Sequence, residues 1–518
     1  MTILTALPLP ALAPLLLLAV AALAARSPGR RPGALPRLSE LAALGALALG
    51  ALGVAQLLLI GPVSLGGGAL ILRLDAVSAT MALLVGFVGW IVMRYSRTYL
   101  DGEAREGAFH GLMLATLAAV LVLVQAGSLP VLIAGFAAIG LGLRQLLLFY
   151  PERAEAQRAA TKFALVWHAG DAALVLATLL LVSATGTVDI AALVPAAAAA
   201  SGPAVKLAVA LIVLAAALKT AAFPLHGWLT EVMEAPTPVS ALLHAGIING
   251  GGVLVIRLAE LVQSSPGAMG ALVVLGGLTA LFGAVVMLTQ SAIKTALAWS
   301  TVAQMGFMLL QCGLGLWALA LLHIVAHSLY KAHAFLASGG AVAAVASLKR
   351  PGPVAVPNLG AVLKSFALAL VLYGAVAAVF GLIAGPKTPQ ALALGAMLIF
   401  GVAYLVAQGL ADAAPAALTR RTALASLGAA AAYFSFQLLA AALWGPSLPA
   451  APVAGPLEWA LIVLAVGSFG LVAFAQALFP LWAHHPATAG LRVHIANGLY
   501  LNALLDRLIG GFRAAKTQ

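Results

Sequence analysis

Ionisable side chains recur in the middle of this very apolar sequence, where lysines alternate with histidines. Histidine takes up and releases protons near neutral pH. A lysine at membrane depth changes its charge with its surroundings, because desolvation disfavours the charged form and a nearby acid favours it. Such groups suit a proton or cation relay, and the candidate residues for its pathway are Lys219, His226, Glu231, Glu234, His244, Lys294, His323, His327, Lys331, Lys364 and Asp171.

The first group of candidates surrounds a predicted break in a helix. Pro224 follows Lys219 and should end the helix that carries it, because proline has no N–H and clashes with the preceding turn. His226, Glu231 and Glu234 come soon after this proline. Transporters place ion sites at membrane depth with ionisable groups at broken helices, so this stretch is a predicted translocation site.

The second group shares one face of a helix. His323, His327 and Lys331 stand at i, i+4 and i+8, so their side chains point the same way. The two histidines also have zinc-ligand spacing, but a lysine on the same face would repel a cation. For His226 and His244 the alternative to a relay is a hydrogen-bonded packing role.

Three other candidates have structural alternatives. Lys294 and Lys364 lie near predicted helix ends, where a lysine can snorkel to the membrane interface. Asp171 could cap or orient the start of a helix. A charge at membrane depth costs about 2.5–3.5 kcal/mol on insertion scales, and this cost favours a functional role over these alternatives.

The elements that must position these residues are membrane helices. The chain has 518 residues, of which 63% are apolar and 8% charged, and 15 acids with 27 bases cannot cover a soluble body of this size. One cysteine excludes a disulfide scaffold, and the apolar excess excludes disorder. The net charge of +12 is spread thinly, so no nucleic-acid partner is expected.

Apolar stretches of spanning length recur from 3–25 to 457–481, and they predict an all-α polytopic membrane protein with about fifteen transmembrane helices. The stretch 69–93 is one of them, with the three glycines before it in a loop. We expect four parts, namely N-terminal transmembrane helices (1–108), an ion-translocating core (109–350), C-terminal transmembrane helices (351–481) and a cytoplasmic amphipathic tail (482–518).

Basic residues predict how the chain is oriented. Most of the 27 bases fall on alternate loops and in the tail, and the other loops hold almost none, with Lys387 the clear exception. The positive-inside rule then places the N-terminus outside and the C-terminus in the cytoplasm of a multi-pass protein. The first stretch lacks the basic start of a signal peptide and is longer than its usual apolar core, so it is predicted to be a membrane span.

Three motifs resemble a known family. The stretches 219–244, 289–301 and 323–333 resemble the signature of proton-translocating antiporter-like subunits, which include the large membrane subunits of respiratory complex I and of Mrp antiporters. The resemblance covers roughly residues 70–345 and implies an antiporter-like fold with discontinuous helices. The family usually carries an acid in the fifth segment that pairs with the following lysine, and Ala137 stands there instead. The family's proline-glycine signature after the eleventh segment is also missing. Glu231 and Glu234 are our candidates to replace the acid.

A closer resemblance is to the DabB group, the membrane subunit of a two-part inorganic-carbon uptake complex. Residues 143–153, 229–234, 244–249 and 492–500 resemble that group. The resemblance implies a bacterial inner-membrane subunit whose ion translocation energises uptake of carbon dioxide or bicarbonate. It also implies a cytoplasmic DabA-like partner that holds zinc, with no cofactor in this chain and no enzymatic activity of its own. A cation/proton antiporter subunit and a passive membrane anchor are the two alternatives.

Overall fold

The structure is a computed structural model that describes residues 7–200, 202–340, 359–409, 416–478, 482 and 485–508. Nearly all of these residues are helical or connect helices. The helices in chain order are α1 (Leu12–Ala24), α2 (Leu35–Ile60), α3 (Ala76–Tyr99), α4 (Glu106–Val124), α5 (Leu129–Leu147), α6 (Ala154–Thr185), α7 (Ile190–Ala199), α8 (Pro203–Lys219), α9 (Gly227–Thr230), α10 (Thr237–Ala245), α11 (Gly250–Arg257), α12 (Ala259–Gln263), α13 (Pro266–Met287), α14 (Ile293–Gly313), α15 (Trp317–Ala337), α16 (Leu359–Ala384), α17 (Pro389–Gly409), α18 (Ala416–Trp444), α19 (Pro456–Ala477), α20 (Pro486–Ala496) and α21 (Leu501–Leu508).

The predicted class, an all-α polytopic membrane protein, is confirmed. Within the described residues, eleven helical segments are long and apolar enough to cross a membrane, and three shorter apolar helices accompany them. One spanning segment, Thr237–Arg257, combines α10 and α11 and has 94% of its most apolar window buried among its neighbours. The count of about fifteen spans stays a prediction.

A β-hairpin replaces the start of the predicted helix 69–93. Strands β1 (Val63–Gly67) and β2 (Leu70–Leu74) pair antiparallel, and the following helix begins only at Ala76. Gly66 has a φ of +95°, a conformation that side chains rarely adopt. Asp75 then caps α3, since its carboxylate accepts a hydrogen bond from the backbone N–H of Ser78 at 2.8 Å. Because of this turn and this cap, the helix begins later than the apolar pattern predicts.

Helices are discontinuous where the sequence predicts a break. Helix α8 ends at Lys219, and residues 220–226 are not helical before the short α9 begins. Pro224 lies in this interval, where its missing N–H leaves no helical hydrogen bond unmade. A second interruption separates α10 from α11 at a single 3-10 turn, Ile247–Asn249. Both interruptions put polar backbone inside the protein, as expected where a membrane helix lines an ion site.

The two ends of the described chain lie on opposite faces. At the first described residue, the carbonyl oxygen of Leu7 accepts a hydrogen bond from Gln56, which lies near the end of α2 and just before the hairpin. Arg73 of the hairpin pairs with Asp189, which follows the end of α6. At the other end of α6, Lys162 lies 2.6 Å from Asp506 near the end of the chain. Because α6 has 32 residues, its ends are separated by about 48 Å. The absolute orientation stays a prediction.

The C-terminal helices form a partly separate packing unit. Their own apolar cluster joins α16, α17 and α18, and consists of Ala369, Tyr373, Ile399, Ala403, Ala430 and Phe434. The main core is continuous from α1 to α15 and extends onto α17, α18 and α19. The predicted boundary between 350 and 351 and the last residues of the tail lie outside the described residues, so the division into four parts stays a prediction.

Candidate ion-translocation site

Lys219 ends α8 at the break and is completely buried. Its Nζ lies 2.6 Å from Oδ1 of Asp171 on α6. The other oxygen of that carboxylate lies 3.0 Å from Nδ1 of His168, whose side chain is 44% exposed. The carboxylate of Asp171 therefore contacts the buried lysine through one oxygen and the partly exposed imidazole of His168 through the other.

Aromatic rings complete the surroundings of Lys219. Its ammonium lies 4.4 Å from the ring centre of Phe136 and 4.2 Å from that of Trp167. Such cation–π contacts stabilise a positive charge by about 0.5–2 kcal/mol each. Phe136 is the neighbour of Ala137, the position where the family usually has its acid. Here α5 contributes a π face to the lysine, and the counter-charge comes from α6.

The expectation that Glu231 or Glu234 replaces the missing acid beside Lys219 was wrong. Glu231 pairs with Lys162 at 2.8 Å, and Glu234 pairs with Arg153 at 2.8 Å. The reason is the direction of the chain after the break, which carries both glutamates toward the start of α6. The alternative that Asp171 caps a helix start was wrong as well, because Asp171 lies within α6.

His226 lies in the break, buried among aromatic rings. Its ring centre is 4.9 Å from Trp299 and 5.4 Å from Phe282. Neither imidazole nitrogen has a hydrogen-bond partner among the described residues. A buried polar group without a partner costs about 1–3 kcal/mol, so packing alone is a poor reason for a histidine here.

The remaining histidines form a connected series. Nδ1 of His244 lies 3.1 Å from Oγ1 of Thr301, and the carbonyl oxygen of His244 lies 3.0 Å from Nε2 of His327. The rings of His327 and His323 are 6.1 Å apart between centres, and Nδ1 of His323 lies 2.9 Å from Oε1 of Gln311. Helices α10, α14 and α15 thus bring together three imidazoles that the sequence separates.

Lys331 has only neutral hydrogen-bond partners in the described part of the chain. It is buried, and its Nζ donates to Oγ of Ser300 at 2.7 Å and to the carbonyl oxygen of Leu297 at 3.2 Å. Residues 297–301 of α14 therefore contact three candidates, since Trp299 reaches His226 and the neighbouring residues reach His244 and Lys331. Sequence reasoning missed this role of α14, which has no ionisable residue in that stretch.

Lys294 and Lys364 lie apart from this cluster. Lys294 is half-buried at the start of α14, and Lys364 is exposed on α16. No ion pair joins either lysine to another described residue. Their exposure is compatible with snorkelling, and their predicted place in the pathway has no geometric support.

A cavity of about 730 Å³ lies beside the second group of candidates. His323, His327 and Gln311 line it on one side, and Tyr373 and Tyr433 of the C-terminal helices line the other. Nε2 of His323 and Nδ1 of His327 have no hydrogen-bond partner among the described residues. The cavity therefore lies next to two imidazoles that each keep one buried nitrogen without a partner in the described structure.

Metal ligands do not converge in the described part of the chain. No three His, Cys, Asp or Glu side chains there are placed to hold a metal ion. His323 and His327 point toward Gln311 and the backbone of His244 instead.

Comparison with known proteins gives the class of the protein. Residues 126–351 match the family model described as NADH:quinone oxidoreductase/Mrp antiporter, and residues 69–110 match that of the N-terminus of complex I chain 5. A chain in the solved structure of the Mrp complex from Dietzia has the same fold, with a TM-score of 0.60 and 23% identity, covering 98% of this chain and 61% of that chain. The chain is an antiporter-like membrane subunit.

Curated relatives narrow this class. The chain is 36% identical to the probable inorganic carbon transporter subunit DabB2 of Halothiobacillus neapolitanus, over 86% of this chain and 81% of the relative. It is 32% identical to NADH-quinone oxidoreductase subunit L of Mycobacterium tuberculosis, over 85% of this chain and 70% of the relative. Within the antiporter-like class, the chain belongs to the DabB family, as the sequence motifs predicted.

Proposed function

We propose that this chain is the cation-translocating membrane subunit of a two-subunit complex that takes up inorganic carbon, and that the cation is a proton. The observation that carries the proposal is the pair of the fully buried Lys219 with the mostly buried Asp171 at a helix break. A membrane protein keeps such a charge pair at a cost, which a passive anchor has no reason to bear. The sequence similarity to DabB proteins supports inorganic carbon as the substrate of the complex.

The pathway has two parts. The first is Lys219 with Asp171, which exchanges charge with His168 at the edge of the protein. The second is the series His244, His327 and His323, with Lys331 beside it. His226 stands between the two parts against Trp299. A membrane potential of 100 mV supplies about 2.3 kcal/mol for each charge moved, enough for one or two protons to shift a partner between two conformations.

Carbon chemistry belongs to a partner in this proposal. A zinc site like that of β-carbonic anhydrases needs two thiolates and a histidine, and the sequence has one cysteine, Cys312. We propose a DabA-like zinc subunit on the cytoplasmic face, with this chain in the bacterial inner membrane, its N-terminus outside and its C-terminus inside. No cofactor is assigned to this chain.

A cation/proton antiporter subunit of the complex I or Mrp kind is the second candidate, and the relationship to subunit L favours it. The missing acid at Ala137 and the DabB-like motifs favour carbon uptake instead. Gene neighbourhood separates the two, since a gene for a large zinc protein supports carbon uptake and a cluster of antiporter genes supports the alternative.

The decisive experiment is growth in air of a host that lacks carbonic anhydrase. We expect growth only when this chain and its partner are expressed together, and we expect an uncoupler to abolish it. Rescue by this chain alone would contradict the two-subunit proposal. Rescue that persists with the uncoupler would contradict energisation by a proton gradient.

A further inference from the structure

Lys162 is a buried cation shared by two acids from distant parts of the chain. Its side chain is 5% exposed on α6, and its Nζ lies 2.8 Å from Oε1 of Glu231 and 2.6 Å from Oδ1 of Asp506. Glu231 lies just after the short helix α9, next to the break. Asp506 lies on α21. The lysine thus joins the end of the chain to the broken helix.

The C-terminal segment, residues 486–508, also fits closely against the break. Nδ2 of Asn502 donates to Oγ1 of Thr230 at 3.4 Å. Gly227 lies so close to Asn502 that a Cβ there would be 2.0 Å from its Oδ1. A side chain at residue 227 would force the Asn502 side chain out of its present position.

A third contact ties the same segment to α14. Gln290, just before this helix, donates from Nε2 to the carbonyl oxygen of Ala496 at 3.1 Å. Gly498, whose φ is +57°, lies against Trp299, and a Cβ there would be 3.3 Å from the indole. Trp299 is the ring that packs on His226. The C-terminal segment therefore packs against Trp299, the residue that contacts His226.

The charges favour a contact that can open. One lysine between two carboxylates leaves an excess negative charge. Glu231 accepts a regular hydrogen bond from Nζ of Lys162, whereas Oδ1 of Asp506 lies near Nζ but accepts no hydrogen bond of regular geometry from the described residues, so Asp506 is the acid held less firmly. If Asp506 withdraws, Lys162 and Glu231 remain as a neutral buried pair, which avoids the large cost of leaving one charge alone. Opening therefore breaks weak contacts and preserves the strong one.

We propose that the C-terminal segment is a latch on the ion pathway, with Lys162 as the positioning residue that holds it. When the latch is closed, α9 and the break are held against α6 and α14. When it opens, the break is free to move and the pathway conducts. This inference rests on the proposed ion translocation, and it assigns the control of that activity to contacts at Lys162 and Gly227.

A reversible cross-link tests the latch in the intact two-subunit complex. Thr230→Cys combined with Asn502→Cys should form a disulfide on oxidation, since the two native side chains are in contact. We expect oxidation to lower proton flux in proteoliposomes by about tenfold or more and dithiothreitol to restore it. Each single cysteine variant, treated in the same way, should be unaffected. Full flux in the cross-linked complex would overturn the latch.

Releasing the latch should have the opposite effect. We expect Asp506→Asn to raise proton leak without inorganic carbon by about five- to tenfold, whereas Arg507→Gln, an exposed neighbour on the same helix, should leave it unchanged. Maleimide labelling of Asn502→Cys should become faster when Asp506→Asn is added. The labelling rate reports whether the C-terminal segment has opened, whether or not proton flux is detected. Faster labelling without any flux would contradict the ion-translocation proposal. An unchanged labelling rate would contradict the latch.

Discussion

Replacing Asp171 by asparagine is the sharpest perturbation of the candidate site. The change keeps the shape of the side chain and removes the only carboxylate that pairs with Lys219 in the described structure, at 2.6 Å from its Nζ. Removing one member of a buried ion pair costs about 3–5 kcal/mol. The rings of Phe136 and Trp167 remain and offset part of this through contacts of about 0.5–2 kcal/mol each.

The net loss should be about 2–3 kcal/mol after that compensation. Taken as a rise in the barrier to charge movement through the pair, this loss should lower uncoupler-sensitive proton flux in Asp171→Asn by about 30- to 150-fold, since about 1.4 kcal/mol is tenfold in rate. Flux is measured with a pH-sensitive dye in proteoliposomes that contain the assembled complex. Glu155→Gln is the matched control, because it neutralises an exposed carboxylate at the start of the same helix, far from Lys219, and we expect it to leave the flux unchanged within about twofold.

A double variant separates transport from folding. Asp171→Asn with Lys219→Gln leaves no unpaired charge, so the complex should regain the thermal stability that the single variant loses. Transport should stay absent, since both titratable groups are gone. Wild-type flux in Asp171→Asn, or restored flux in the double variant, would refute the assignment of this pair to the pathway.

Three further predictions follow from other contacts. Lys331→Met should abolish flux while the purified complex stays assembled, because the lysine's partners are neutral; normal flux would remove Lys331 from the pathway. His226→Phe should keep or raise the melting temperature, since the ring contacts with Trp299 persist and an unpartnered polar group disappears, while flux falls; a stability loss above about 2 kcal/mol would favour a hydrogen-bonded packing role. Reporter fusions at Arg30 and Gly186 should report cytoplasmic and external locations respectively, and a cytoplasmic signal at Gly186 would contradict the predicted topology.

The helices and most of the candidate residues could be predicted from the sequence. Long apolar stretches must form helices in a bilayer, where the backbone has no other way to satisfy its hydrogen bonds. The break after Lys219 follows from Pro224 by the same local reasoning. The hairpin at 63–74 could not be predicted in this way, because its apolar residues continue the hydrophobic pattern of the following helix.

The pairing of charges could not be predicted from local pattern. Lys219 and Asp171 are 48 residues apart, and nothing in the spacing of Asp171 distinguishes it from Glu231 as the acid that faces the lysine. The place of Lys162 within an apolar helix is a signal that it needs a partner, but the sequence does not indicate which acids supply it.

Composition, periodicity and the cost of charge in a bilayer therefore determined that this is a membrane protein with broken helices and a buried set of lysines and histidines. Those properties depend on each residue and its near neighbours. Only the tertiary structure decided that Asp171 faces Lys219, that α14 contacts His226, His244 and Lys331, and that the C-terminal segment packs against the break. Ion pairs and ring contacts act over a few ångströms, so the packing of distant helices, which local sequence does not encode, selects the partners.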